Sequence, residues 1–165
     1  MLLLFCAAGM RWFAAARPPR SNLYESLLVF AAALTLVFLV LERRLAFRPA
    51  GALVSVLAAM LLVFALRLDA RIHPLMPALR SNWLIAHVLA CFTAYALFAV
   101  AFVCAVLELI VGTKSAGDSG ERMGAAAYQS IALGFLFLTV GIMTGAVWAE
   151  QAWGRYWGWD PKETW

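Results

Sequence analysis

Charge is scarce in this chain. Of 165 residues only 13% are charged and 65% are hydrophobic, with a mean hydropathy of +0.85. Soluble globular domains carry about 25% charged and about 45 to 50% apolar residues, so a soluble domain is excluded. Disorder, a collagen-like repeat and a disulfide scaffold fail on the same grounds. The net charge of +4 is modest and its thirteen basic residues are scattered, which argues against nucleic acid as a partner and leaves the lipid bilayer. Cysteine is equally sparse. Cys6, Cys91 and Cys104 sit in apolar stretches without CxxC or CxxCH spacing, which excludes a thioredoxin-like pair and covalent c-type haem attachment to this chain. Cys91 and Cys104 stand roughly 20 Å apart on one helix, too far to bridge, and read as small buried hydrophobes. No P-loop, nucleophile elbow, HExxH or zinc cluster is present, so neither nucleotide-driven nor hydrolytic chemistry has support.

What is present is apolar length. Five runs, 2–16, 23–41, 51–66, 82–111 and 129–148, predict an all-α fold, a polytopic transmembrane helical bundle with about five membrane segments in a single domain. A helix needs about 20 residues to cross the hydrocarbon core, so the second, fourth and fifth runs are full spans and the third is short. The first carries Arg11 and Trp12 and lacks a basic n-region, and reads as the tail of a span rather than a signal peptide. Loops 17–22, 67–81 and 149–165 then share one face, and 42–50 and 112–128 the other. Basic residues fall on both, so charge counting does not orient the bundle.

Helix starts are marked by local chemistry. Asn22-Leu23-Tyr24-Glu25 has the capping-box pattern, Ser81-Asn82 offers an N-cap before the 82–111 run, and Asp160-Pro161-Lys162-Glu163 combines an Asp cap, Pro at the first helical position and Glu at the third. The last opens a helix the sequence does not complete, and on this reading the chain is part of a longer protein. Gly134, Gly141 and Gly145 give the fifth run a small-residue face for close helix packing. Glu25 and Glu108 lie near span ends, where a capping or interfacial role costs less than a mid-bilayer charge.

Aromatic residues are unevenly spread. Five of seven tryptophans fall between Trp148 and Trp165, a segment comprising Trp148, Trp153, Gly154, Arg155, Tyr156, Trp157, Gly158, Trp159, Asp160 and Trp165 among its residues. Two readings stand. An interfacial aromatic belt accounts for two or three tryptophans. A site for a large planar ligand bearing carboxylates, such as haem, accounts also for the intervening Gly154 and Gly158, which let backbone or ligand approach, and for Arg155 and Lys162, which can pair with carboxylates. Asp160 reads as a helix cap.

There are two histidines. His73 precedes Pro74 and Pro77 in a polar loop and reads as solvated. His87 lies six residues into the fourth run, on the same face of the membrane as the Trp-rich segment. Trp83, His87, Cys91 and Tyr95 recur every four residues and share a helix face. A neutral imidazole there can serve as an axial iron ligand, the metal-binding role open to it, or as a hydrogen-bonded histidine inside a bundle.

The stretch from Trp153 through Trp159-Asp160-Pro161-Lys162-Glu163-Thr164-Trp165 resembles the tryptophan-rich WWD signature of the cytochrome c assembly family. Its ending is similar to the CcsA/ResC branch of the system II pathway, and Asn22-Leu23-Tyr24-Glu25-Ser26 and Ser81-Asn82-Trp83-Leu84 with His87-Val88 agree. The resemblance implies a multi-span protein of the bacterial plasma (inner) membrane or thylakoid, with the Trp-rich loop on the outer, periplasmic side. It implies that haem b is bound non-covalently there, in transit, and presented to apocytochrome c, whose own thiols add to the vinyl groups. It further implies a ResB-type membrane partner, His87 as one axial ligand, and a second ligand beyond the WWD segment. No residue of this chain reads as a catalytic nucleophile or base. Two rivals stand beside this reading: a transporter or structural membrane subunit whose Trp-rich loop is only an anchor, and a haem-delivery protein feeding a haem chaperone.

Overall fold

The computed structural model describes residues 2–15, 17–19, 21–45, 49–72, 74–112 and 118–164. Among the described residues six helices follow in order: α1 Leu2–Ala15, α2 Leu23–Leu45, α3 Pro49–Ala65, α4 Asn82–Gly112, α5 Asp118–Trp153 and the short α6 Pro161–Thr164, with a 3-10 turn at Pro77–Leu79. No strand occurs among the described residues, in agreement with the all-α fold expected. Three helices are long and apolar enough to cross a membrane, over Leu23–Arg43, Asn82–Ile110 and Glu121–Trp153. The segments Leu4–Ala15 and Ala50–Ala65 are apolar but shorter.

The predicted starts are capped by the residues expected, although the Glu25 carboxylate reaches back to the Ser21 amide, one residue before the Asn22 cap. Asn22 Oδ1 accepts the Glu25 amide at 2.8 Å, and Ser81 Oγ accepts the Trp83 amide at 3.2 Å. At α6, Glu163 N–H donates to Asp160 Oδ1 at 3.2 Å while the Glu163 carboxylate accepts the Asp160 amide at 3.2 Å, a reciprocal capping box. One boundary differs. α5 begins at Asp118, well before the apolar run at 129, so much of the expected 112–128 connector is helical. The reason is packing: Met123, Ala126 and Ala127 are buried against the core, and alanine is the best helix former.

α4 and α5 form a long antiparallel hairpin, of 31 and 36 residues, about 46 and 54 Å at the standard rise. The glycines of α5 set its spacing. A methyl group built on Gly134 would stand 2.5 Å from the Phe98 ring, on Gly141 2.7 Å from Cys91 Sγ, and on Gly145 2.6 Å from His87 Nδ1. Each position therefore admits a large α4 side chain where an alanine would exclude it, which is the small-residue face the spacing predicted.

The core occupies one end of the bundle. Leu34, Phe38 and Leu41 of α2, Val54 of α3, Val100 and Cys104 of α4 and Met123 of α5 pack together there. The other end gathers the described residues of the connections 17–22, 66–81 and 154–160. Asn22 Nδ2 donates to the carbonyls of Asp69 and Arg71, Trp148 Nε1 to Ala78 O at 2.9 Å, and Ser81 Oγ to Gln151 Oε1 at 3.1 Å. These loops share a face, as the run order requires. Here too lies Glu25, whose side chain is fully buried. It accepts from Arg11 at 3.1 Å, Arg17 at 3.3 Å, and both the amide and hydroxyl of Ser21 at 2.7 and 2.8 Å. The carboxylate thus ties the end of α1 and the α1–α2 connection to the first turn of α2.

Candidate functional site

His87 sits two turns into α4 at the loop-gathering end and meets α5 where its glycines leave room. Its Nδ1 lies 2.7 Å from Gly141 O. A carbonyl oxygen only accepts, so Nδ1 carries the proton and donates. In the neutral ring this leaves the lone pair on Nε2, which has no hydrogen-bond partner among the described residues. A backbone carbonyl on the far nitrogen is the usual device for fixing the tautomer and orientation of a metal-binding histidine. Cys91 Sγ, one turn on, is 3.7 Å from the same Nδ1.

Aromatic rings build outward from this imidazole. Trp148 stacks beside it with planes 16° apart and centroids at 6.3 Å. Trp153 meets Trp148 edge-on at 4.7 Å, and Trp157 meets Trp159 edge-on at 5.8 Å. The hydrogen bond from Trp148 Nε1 to Ala78 O pins the first ring to the α3–α4 connection. His87, Trp148, Trp153 and Trp157 border a recess of about 410 Å³, within the range of about 300 to 1,000 Å³ usual for small-molecule sites. Its floor is His87, Cys91 and Tyr95 from α4; its walls are Trp148, Trp153, Tyr156 and Trp157, with Asp160 and Glu163 at the rim.

The turn that carries the outer aromatics is held by one carboxylate. Glu163 Oε2 accepts the amides of Gly158 at 2.6 Å and of Asp160 at 3.2 Å, on either side of Trp159. Trp159 itself adopts φ 55°, a left-handed conformation uncommon for a bulky residue. The two amides bonded to Glu163 are what hold it there.

Of the residues singled out by sequence, His87, Trp148, Trp153, Tyr156, Trp157 and Asp160 converge on the recess. Gly154, Arg155, Gly158 and Trp159 do not line it. Gly154 ends α5, with φ 72° and its amide bonded to Glu150 O at 2.8 Å, so its freedom serves the helix stop. Gly158 makes room for the Arg155 guanidinium, which packs over its backbone. Trp159 is 78% exposed and Trp83 43% exposed, both outside the recess. Trp165, His73 and the Lys162 side chain lie outside the described residues. Sequence reasoning missed the α5 contribution. Leu138, Ile142, Gly145, Ala146 and Ala149 also line the recess, and the stripe Leu138, Ile142, Gly145, Ala149 recurs at helical spacing on the face that carries the glycines.

Comparison with known proteins follows the same residues. The model of a family described as cytochrome C assembly protein matches residues 20–165. The chain is 38% identical to the cytochrome c biogenesis protein CcsA of Chlamydomonas reinhardtii, covering 99% of this chain and 50% of that protein. It is 36% identical to the CcsA protein of Synechococcus sp. strain CC9902 and 35% identical to that of Pyropia yezoensis, covering 66% and 67% of those relatives. The chain thus spans about half to two thirds of the length of the relatives it matches.

Proposed function

Because the chain belongs to the cytochrome c assembly family, we propose that it handles haem in a membrane: it holds haem b non-covalently, in transit, and presents it for attachment to apocytochrome c. The observation that carries this reading is His87, whose Nδ1 is committed to Gly141 O while Nε2 is left without a partner in an aromatic-walled recess. That nitrogen is the candidate axial ligand. Trp148, Trp153, Tyr156 and Trp157 supply flat faces for a porphyrin, and flat apolar contact is the main recognition an apolar macrocycle offers.

On this reading the thioether-forming thiols come from the acceptor, and this chain contributes binding and orientation. We also propose that Arg155 and Lys162, which flank the Trp-rich turn in sequence, pair with haem propionates. We place the Trp-rich segment on the outer side of a bacterial plasma membrane, with a ResB-type membrane protein as partner. The high exposure of Trp159 fits an anchoring role at the interface, so the belt reading accounts for this tryptophan while the recess accounts for Trp148, Trp153 and Trp157.

The test is transfer. Full-length protein purified in detergent is expected to carry a Soret band and to lose it on incubation with apocytochrome c bearing CxxCH. Loss of the band to a haem chaperone, with none to apocytochrome c, would assign the chain to haem delivery instead. Absence of any haem would leave a structural subunit or transporter.

A further inference from the structure

The Gly141 carbonyl that holds His87 has a second suitor. Thr144 Oγ1 lies 3.1 Å from Gly141 O and 2.8 Å from Val140 O. A threonine hydroxyl has one proton, so it is shared between the two carbonyls, the nearer being the ordinary back-bond of a threonine in a helix. Gly141 O already accepts from His87 Nδ1 at 2.7 Å. Whatever density the hydroxyl draws from that oxygen weakens its hold on the imidazole proton. Gly141 O also takes the Gly145 amide of the α5 ladder, a fixed backbone bond, so the Thr144 hydroxyl is the side-chain donor that shares this oxygen with His87; Cys91 Sγ at 3.7 Å is too distant and too weak an acceptor to replace it.

We propose that Thr144 is a positioning residue: through the shared Gly141 carbonyl it sets how strongly the His87 Nδ1–H bond is made, and so the electron donation of Nε2. The consequence for bound haem rests on the reading of His87 as its ligand; the hydrogen-bond relation does not. A stronger Nδ1–H bond gives the ring more imidazolate character, which favours the higher oxidation state of a bound iron. The Thr144 hydroxyl opposes that and keeps the reduced state accessible. Gly145 completes the arrangement, since a methyl there would stand 2.6 Å from His87 Nδ1 and crowd the ring away from Gly141 O.

The experiment has two arms on the full-length protein. In haem-free protein labelled with ¹⁵N-histidine, with the His87 signal assigned by its loss in His87→Gln, Thr144→Val is expected to move the Nδ1–H proton resonance downfield, the direction of a stronger bond, and Thr144→Ser to restore it. In haem-loaded protein the same valine variant is expected to lower the reduction midpoint potential, with serine again restoring the parent value. An Nδ1–H resonance identical in parent and valine variants overturns the proposal, whether or not haem is present. A shifted resonance in a protein that never acquires haem upholds the hydrogen-bond relation and removes the haem assignment instead. A resonance that shifts while the potential of loaded protein stays fixed overturns the tuning role.

Discussion

Gly145→Ala is expected to cost the protein its haem while leaving it folded in the membrane. The added methyl would stand 2.6 Å from His87 Nδ1 and 2.8 Å from Cε1, distances real side chains do not tolerate. The ring cannot simply swing aside, because Gly141 O holds one edge and Trp148 lies parallel beside it. Overpacking of this kind costs about 1 to 3 kcal/mol. Relieving it by displacing His87 breaks the Nδ1 bond and moves Nε2, so haem retained per protein is expected to fall by about tenfold or more. Gly134→Ala is the matched control. It drives a methyl to 2.5 Å from Phe98, away from the recess, and is expected to lower thermal stability similarly while the Soret band per folded protein stays at the parent level. Equal haem loss in both variants would show that the effect is general loosening of the α4–α5 hairpin rather than displacement of His87.

Glu25→Ala carries the largest expected stability effect. The Glu25 side chain is fully buried, and the Arg11 and Arg17 side chains that it binds are only 13% exposed. Removing one partner of a buried ion pair leaves the other charge uncompensated, at about 3 to 5 kcal/mol. Arg11 keeps its place 4.8 Å over the Tyr24 ring, which recovers little of this. The loss is expected as a marked drop in the detergent melting temperature and in recovered yield. Glu25→Gln, which can still accept from Ser21, is expected to fall between parent and alanine. A melting temperature unchanged in the alanine variant would mean that the carboxylate is dispensable for closing this end of the bundle.

Much of this architecture was legible because it is governed by local rules. Asn22, Ser81 and Asp160 cap the helices they precede, and a cap needs only its own few residues to be recognised. The four-residue spacing of His87, Cys91 and Tyr95 put them on one face, and all three line the recess, whereas Trp83 on the same face stops short of it. Gly134, Gly141 and Gly145 read as packing glycines, which they are. What spacing could not say is which α4 side chain each would admit, because that depends on the register of two helices distant in sequence. The value of Gly145 as the place that receives His87 was invisible for this reason. Gly154 and Gly158 illustrate the converse. Their position among tryptophans suggested ligand approach, yet one supplies a positive φ at a helix stop and the other clears space for Arg155. Glu25 near a span end read as a cap or an interfacial charge; its two arginines come from eight and fourteen residues away, and such pairing leaves no pattern in the sequence.

The central claim is that His87 Nε2 is an axial haem ligand, and the most direct measurement is ligand rescue. His87→Gly in the full-length protein opens a space the size of an imidazole beside Trp148. The absorption spectrum of the purified variant is expected to lack the parent Soret band and to regain it, at the parent wavelength, when haem and free imidazole are supplied together. A variant whose spectrum matches the parent without imidazole would contradict the assignment.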